Sequence, residues 1–117
     1  MLVTGIHHVS INVTDFDAAE AFYSGVLGMT KLERPELSVK GAWLNAGDGR
    51  EVHLIVADPP PDAGQHFAFL VDDVDEVRTT LAASGIETDP PGQLDGVCRQ
   101  VFCHDPSGNR IEFNQRL

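Results

Sequence analysis

The stretch HVSINVTDFD, residues 8–17, is the best indicator of the fold, because the chain repeats its pattern 58 positions later as HFAFLVDDVD, residues 66–75. Each copy opens with a histidine, places apolar residues at every second position and ends in an acidic turn. Such alternation is typical of a β-strand that buries one face. Because side chains alternate across a strand, each histidine is predicted to lie on the face away from the apolar stripe.

The residues after each copy predict a helix and then further strands. Asp15 and Asp73 are suited to capping a helix N-terminus, and Gly28 and Gly85 to ending a helix. The segments that follow are strand-like and are separated by Gly-rich or Pro-containing turns. These segments are residues 41–46 and 51–57 in the first half, and residues 97–104 and 110–114 in the second. Each half is therefore predicted to be a strand, a helix and two or three more strands.

The chain has 117 residues, which is enough for one ordinary domain but not two. We expect a single domain, 1–117, made of two repeats at about 1–57 and 65–117. The Pro-rich stretch 58–64 is predicted to join them.

Composition excludes several classes of partner. The formal net charge is −10, which disfavours nucleic acids and anionic membranes because both are polyanions. No apolar run reaches the roughly 18–20 residues of a membrane-spanning helix, and no secretory signal is visible, so we expect a cytoplasmic protein.

Cys98 and Cys103 lie five residues apart, on opposite faces of a predicted strand, and are expected to be reduced thiols.

Four polar residues fall at equivalent positions of the two repeats. His8 matches His66 in the first strand of each half, and His53 matches Glu112 in the last strand. A pseudo-twofold axis between similar halves would bring all four side chains toward one point, and imidazole and carboxylate are ligands that divalent metals prefer. From spacing alone, a structural role stays open, above all for His53, which shares a strand face with Glu51.

Other polar residues receive a structural interpretation from the sequence. His7 is predicted to point away from His8, and His104 to lie at a strand end beside a turn. Four basic residues are candidate contacts for an anionic substrate, although solvated surface roles are favoured for each; they are Arg34, Lys40, Arg99 and Arg110.

In their order and spacing, the motifs of nearly the whole chain resemble the vicinal oxygen chelate superfamily. That superfamily includes glyoxalase I, extradiol dioxygenases, methylmalonyl-CoA epimerase, and the fosfomycin and bleomycin resistance proteins. The resemblance is strongest to small, single-module glyoxalase-like members. The motifs that carry it are IHHVS (6–10), AFY (21–23), VLGM (26–29), GAWL (41–44), VHL (52–54), HFAF (66–69) and DPSGNRIEF (105–113).

The resemblance implies an α+β fold of two paired βαβββ modules, whose curled mixed sheet forms a half-open cup with helices packed outside. It places one divalent ion, Zn, Ni, Mn, Co or Fe(II), on His8, His53, His66 and Glu112. It also implies a small-molecule substrate and modules that pair across a dimer. A homodimer is expected independently, because one small module leaves sheet edges uncovered.

The favoured activity is that of a glyoxalase-like lyase or isomerase, in which Glu112 or His53 moves a proton. One alternative is an extradiol-type Fe(II) dioxygenase that uses His8, His66 and Glu112 as its triad. Another is a non-catalytic small-molecule binding or resistance protein. Glyoxalase I usually has Glu where this chain has His53.

The residues that glyoxalase I uses toward glutathione are also replaced. Asn12 stands where an Arg is expected and Ala57 where an Asn is expected. The resemblance therefore does not imply glutathione as the cosubstrate.

Overall fold

A computed structural model describes residues 1–117, which divide into two compact units, Met1–Pro60 and Pro61–Leu117. The division falls inside the Pro-rich stretch 58–64, which has no helix or strand. None of the helices reaches the length and apolar content that crossing a bilayer demands. The elements of the first unit are β1 (His8–Val13), α1 (Phe16–Glu20) with a π-helical continuation (Ala21–Val26), β2 (Thr30–Leu32), β3 (Gly41–Asn45) and β4 (Glu51–Val56). Those of the second are β5 (Phe67–Leu70), α2 (Val74–Ala83), β6 (Gly92–Leu94), β7 (Cys98–His104) and β8 (Arg110–Arg116).

Both units have the same mixed four-stranded sheet. The strand order is β1-β4-β3-β2 in the first and β5-β8-β7-β6 in the second. The first strand of each unit pairs in parallel with the last, and the remaining pairs are antiparallel. The predicted βαβββ modules of an α+β fold are therefore confirmed.

The two predicted helix starts are confirmed by their hydrogen bonds. Asp15 accepts from the amide of Ala18 at 3.1 Å, and Asp73 accepts from the amide of Asp75 at 2.8 Å. After Glu20 the first helix widens, so that the amide of Leu27 donates to the carbonyl of Phe22, five residues back.

Each sheet separates an apolar face from a polar face. In the first unit Ile11, Leu54 and Ala42 are register partners, and all three are buried. In the second, Arg99 and Gln115 contact helix α2 and thereby mark the helix-covered face of the sheet. Period two places residues 110, 112 and 114 of β8 on the opposite face.

The helix-covered face also contains Cys103. Cys98 and Cys103 are both buried and unpaired, as the sequence predicts. Burial raises the pKa of the Cys103 thiol to about 12, with a smaller contribution from the charge of Asp105. The thiol is therefore protonated at neutral pH and is not a nucleophile.

One short strand at the edge of each sheet, β2 or β6, is the additional strand that the prediction of two or three strands after each helix left open. β2 and β6 have three residues each, which is too short to show an alternating pattern. β8 continues to Arg116 rather than ending at Asn114, because it pairs with β7 as far as the Cys98–Arg116 register pair.

Candidate functional site

The two predicted ligands of the second unit, His66 and Glu112, lie close together. His66 immediately precedes β5, and Glu112 lies in the middle of β8. The register pairs Ala68 with Glu112, and His66, two residues before Ala68, lies next to Glu112 on the face away from α2. His66 Nε2 lies 3.4 Å from Glu112 Oε1, and the Glu112 side chain is only 11% exposed.

The contact at the other ring nitrogen of His66 determines which nitrogen is protonated when the ring is neutral. His66 Nδ1 lies 2.8 Å from the carbonyl oxygen of Gly64. A carbonyl oxygen can only accept, so Nδ1 carries the proton. In a neutral ring Nε2 then has a lone pair directed toward a carboxylate oxygen. Two acceptor atoms facing each other in this way favour a cation between them.

The second oxygen of Glu112 is held by its neighbour on the same strand face. Asn114 Nδ2 donates to Glu112 Oε2 at 3.0 Å, which leaves Oε1 toward His66. Phe102, the register partner of Glu112 on β7, meets the His66 ring edge-to-face at 5.2 Å. The guanidinium of Arg110 lies over the Phe102 ring, 4.5 Å from its centroid.

The predicted ligands of the first unit are stacked. Register places Ser10, His53 and Trp43 side by side on the polar face of the sheet. The rings of His8 and His53 are nearly parallel, 15° apart, with centroids separated by 3.9 Å. The Trp43 ring continues the stack at 4.6 Å from His53.

His53 also contacts Glu51, which is the structural interaction that the sequence left open. His53 Nε2 lies 2.9 Å from Glu51 Oε1, and the His53 side chain is 11% exposed. The hydrogen bond from His53 lowers the pKa of Glu51, aided by the charges of His7, His53 and His8, while desolvation acts in the opposite direction. As placed, this nitrogen donates a hydrogen bond to a carboxylate.

His7 lies closer to His8 than the sequence suggests. The two Nδ1 atoms are 2.9 Å apart, because β1 begins at His8 and strand alternation does not constrain His7. Desolvation lowers the pKa of His8, and the positive charges of His53 and His7 act in the same direction, against the opposing effect of Glu51. Neutral imidazole, the form that binds metals, is therefore favoured at His8.

The donors of the second unit fit a divalent metal. Metal–nitrogen and metal–oxygen bonds of about 2.0–2.2 Å at a tetrahedral angle separate two donor atoms by about 3.4 Å, which is the separation of His66 Nε2 and Glu112 Oε1.

The stacked rings of His8 and His53 do not converge in this way, because in-plane lone pairs of parallel rings do not meet. At least one ring must rotate for both to bind one ion. Neither unit alone gathers three such donors.

The four candidate anion contacts differ in their surroundings. Arg99 is engaged by Asp75 at 3.0 and 3.3 Å, and Lys40 lies 4.8 Å from the centroid of the Phe16 ring. Arg34 donates to the carbonyl of Val39 at 2.7 Å. Arg110 is the one that shares a strand face with a predicted ligand, two residues before Glu112.

Asn114 and Trp43 have site contacts that the sequence interpretation missed. Asn114 lies two residues after Glu112, so period two could have placed it on the same face. Trp43 is the cross-strand neighbour of His53, and that contact depends on the register between β3 and β4.

Comparisons with known proteins agree with this architecture. The sequence model of the Glyoxalase/Bleomycin resistance protein/Dioxygenase superfamily matches residues 5–113. The chain belongs to this superfamily.

Individual relatives are similar over nearly the whole chain. A Vibrio cholerae protein described as "Probable lactoylglutathione lyase" is 35% identical, over 94% of this chain and 89% of its own length. A glyoxalase family protein of Bacillus anthracis has a crystal structure with a TM-score of 0.87 at 30% identity, over 100% and 98% of the two chains. The fosfomycin resistance protein FosX of Listeria monocytogenes, in complex with Mn(II), shares the fold with a TM-score of 0.85 at 18% identity, over 99% and 95%.

Proposed function

We propose that the chain is a divalent-metal-dependent lyase or isomerase of glyoxalase type, acting on a small oxygen-chelating substrate. In this proposal His8, His53, His66 and Glu112 are the metal ligands. The observation that carries it is the approach of His66 Nε2 to Glu112 Oε1 at 3.4 Å, with the Nδ1 proton of His66 committed to a carbonyl. This arrangement supplies two converging donors and is stabilised by a cation between them.

A bound dication would polarise a carbonyl oxygen of the substrate. The protein's own residues would then move the proton. His53 is a candidate for this role when it is not bound to the metal, because with Nε2–H held by Glu51 the lone pair of Nδ1 takes either the metal or a proton, not both. Glu112 is the second candidate base, with Asn114 holding one of its oxygens.

Two features support a small substrate with an anionic group. A pocket of about 370 Å³ adjoins His53 in the first unit and is lined mainly by apolar side chains, with Arg34 at its wall. On the second unit, Arg110 presents a guanidinium on the strand face of Glu112. Because one relative is described as a lactoylglutathione lyase, the thioester lactoylglutathione or its precursor is a first substrate to assay.

The glutathione portion of that substrate has weaker support. Asn12, at the position of the expected Arg, donates to the backbone carbonyl of Asp58 at 3.1 Å. Its amide is neutral and cannot replace the charge of a guanidinium. Substrates formed with a thiol other than glutathione, and substrates without sulfur, should therefore be assayed as well.

The stacking of His53 on His8 favours a second candidate function. If the two rings stay parallel, their lone pairs do not converge, and a ligand set without His53 is His8, His66 and Glu112, which is the two-His-one-carboxylate triad of Fe(II) dioxygenases. Ring cleavage of a catechol would then replace proton transfer as the reaction.

Elemental analysis of protein purified without added metal, combined with two assays, tests the proposal. We expect about one zinc, nickel, manganese or cobalt per site and formation of lactoylglutathione or a related product. We expect His66→Ala and Glu112→Ala to lose metal and activity together, whereas Glu87→Ala, at an exposed position of the same unit, retains both. Sedimentation of the same samples should show the symmetric homodimer that we propose.

Other outcomes of this experiment are equally decisive. Iron together with oxygen uptake on catechols would establish the dioxygenase instead. Stoichiometric metal in both ligand variants would place the site elsewhere. Absence of metal, with tight binding of an unmodified small molecule, would identify a non-catalytic binding protein.

A further inference from the structure

We infer that Asp62 and His104 are positioning residues, which hold the segment before β5 so that His66 presents Nε2, not Nδ1, to the metal. The inference rests on the proposed function in that His66 is taken as a metal ligand. Neither residue is a catalytic or ligand residue in the proposal, and both lie in the second unit.

Three consecutive contacts connect the pair to His66. His104 Nε2 lies 2.8 Å from Asp62 Oδ2, and the amide of Gly64 donates to Asp62 Oδ1 at 3.1 Å. The carbonyl of Gly64 then accepts from His66 Nδ1 at 2.8 Å. Both carboxylate oxygens of Asp62 are thus engaged, one by β7 and one by the segment that holds His66.

The position of His66 explains why such an anchor matters. β5 begins at Phe67, so His66 lies outside the sheet ladder and strand pairing does not fix its backbone. Gly64 has φ +94°, a left-handed conformation that residues with a side chain rarely adopt. This turn directs the Gly64 carbonyl toward His66. His104 is the last residue of β7 and therefore a rigid attachment point for Asp62.

The surroundings of Asp62 favour its charged form. The hydrogen bond from His104 lowers the pKa of Asp62, and the amide of Gly64 acts in the same direction, with smaller contributions from the charges of His104 and Arg110. The side chains are 57% and 33% exposed for His104 and Asp62. A side-chain contact this exposed contributes little to global stability, so removal of either partner should change the orientation of His66 rather than the fold.

The consequence for metal binding follows from the tautomer. With Nδ1–H held by the Gly64 carbonyl, the lone pair is confined to Nε2, which faces Glu112. Without the anchor, the ring is free to exchange tautomers and orientations. Partners that orient a ligating histidine typically contribute about 10–100-fold to metal affinity.

The test uses two measurements on full-length Asp62→Ala and His104→Ala. Long-range ¹H–¹⁵N NMR of the metal-free proteins reports the tautomer of His66, and competition with a chromogenic chelator gives the affinity for Zn(II). We expect wild type to show a single Nδ1–H tautomer, both variants to show a mixture, and Zn(II) affinity to fall about 10–100-fold. Asp62→Asn, which can still accept from the Gly64 amide, should recover part of both properties.

Asp75→Ala is the matched control, because it removes another exposed aspartate ion pair of the same unit, with Arg99. It should leave the tautomer and the affinity unchanged. The inference is overturned if Asp62→Ala and His104→Ala keep the wild-type tautomer and affinity. If wild type binds no Zn(II), the proposed function fails, while the tautomer measurement still decides whether Asp62 and His104 position His66.

Discussion

At the scale of single residues, Glu112 shows how the site stabilises a carboxylate inside a strand. A buried carboxylate without partners is costly, and Glu112 has Asn114 on one oxygen and His66 near the other. Its flanking residues Ile111 and Phe113 are buried on the opposite face. The orientation of the carboxylate therefore depends on one amide from the same strand.

We predict that Asn114→Ala lowers metal affinity by about 10-fold, because the Glu112 carboxylate loses the donor that fixes its rotamer. Calorimetric titration of the metal-free protein with Zn(II) measures the change. Gln93→Ala removes an exposed amide from β6 and serves as the control. Equal affinities of wild type and Asn114→Ala would show that the hydrogen bond does not orient the ligand.

At the scale of the elements, the pairing of β3 and β4 positions His53, and Gly41 makes this pairing possible. A Cβ atom at Gly41 would overlap the carbonyl oxygen of Leu54, a backbone atom that cannot move independently of the strand. Gly25, in contrast, has no neighbouring atom within 4 Å and lies in the helical segment Ala21–Val26.

Two glycine substitutions should therefore change stability in opposite directions. Gly41→Ala is expected to lower the free energy of unfolding by about 1–3 kcal/mol through overpacking. Gly25→Ala is expected to raise it by about 0.5–1 kcal/mol, because alanine loses less conformational entropy in a helix. Urea denaturation monitored by circular dichroism measures both changes. A neutral Gly41→Ala variant would mean that β3 and β4 can separate at this point without cost.

At the scale of the whole molecule, several ionisable groups make stability depend on pH in the same direction. Hydrogen bonds from His53, His104 and Arg99, respectively, lower the pKa values of Glu51, Asp62 and Asp75. The pKa of His8 is also lowered, mainly by desolvation. In each case the folded state binds protons less readily than the unfolded state, so acid favours unfolding.

We predict that the metal-free protein loses stability as the pH falls, in two stages. The first loss of stability comes from His8, as the pH falls below its ordinary pKa of 6.5. The second comes from the carboxylates, as the pH falls below the ordinary pKa values of 4.5 for Glu51 and 3.8 for Asp62. Urea denaturation at pH 7.5, 5.5 and 3.5 measures the two stages. His8→Gln should flatten the first stage and leave the second. A constant free energy of unfolding between pH 7.5 and 3.5 would contradict the prediction.

The amino-acid sequence alone predicts the two modules and the strand face of the three predicted ligands that lie within strands, His8, His53 and Glu112. The repeated pattern of residues 8–17 and 66–75 is local, and the alternation of side chains along a strand follows from backbone geometry. The helix caps at Asp15 and Asp73 are equally local. The three-residue strands β2 and β6 lay below the length at which such a pattern can be recognised.

Which atoms face one another depends on long-range packing. His66 and Glu112 are 46 residues apart and meet because β5, which begins directly after His66, pairs with β8 and because the Gly64 carbonyl holds the His66 ring. His53 donates to Glu51 through a rotamer that the sequence does not specify. His104 reaches Asp62 across 42 residues. Period two fixes the face of a strand from which a side chain projects, whereas its hydrogen-bond partner depends on strand register and rotamer, which long-range packing selects.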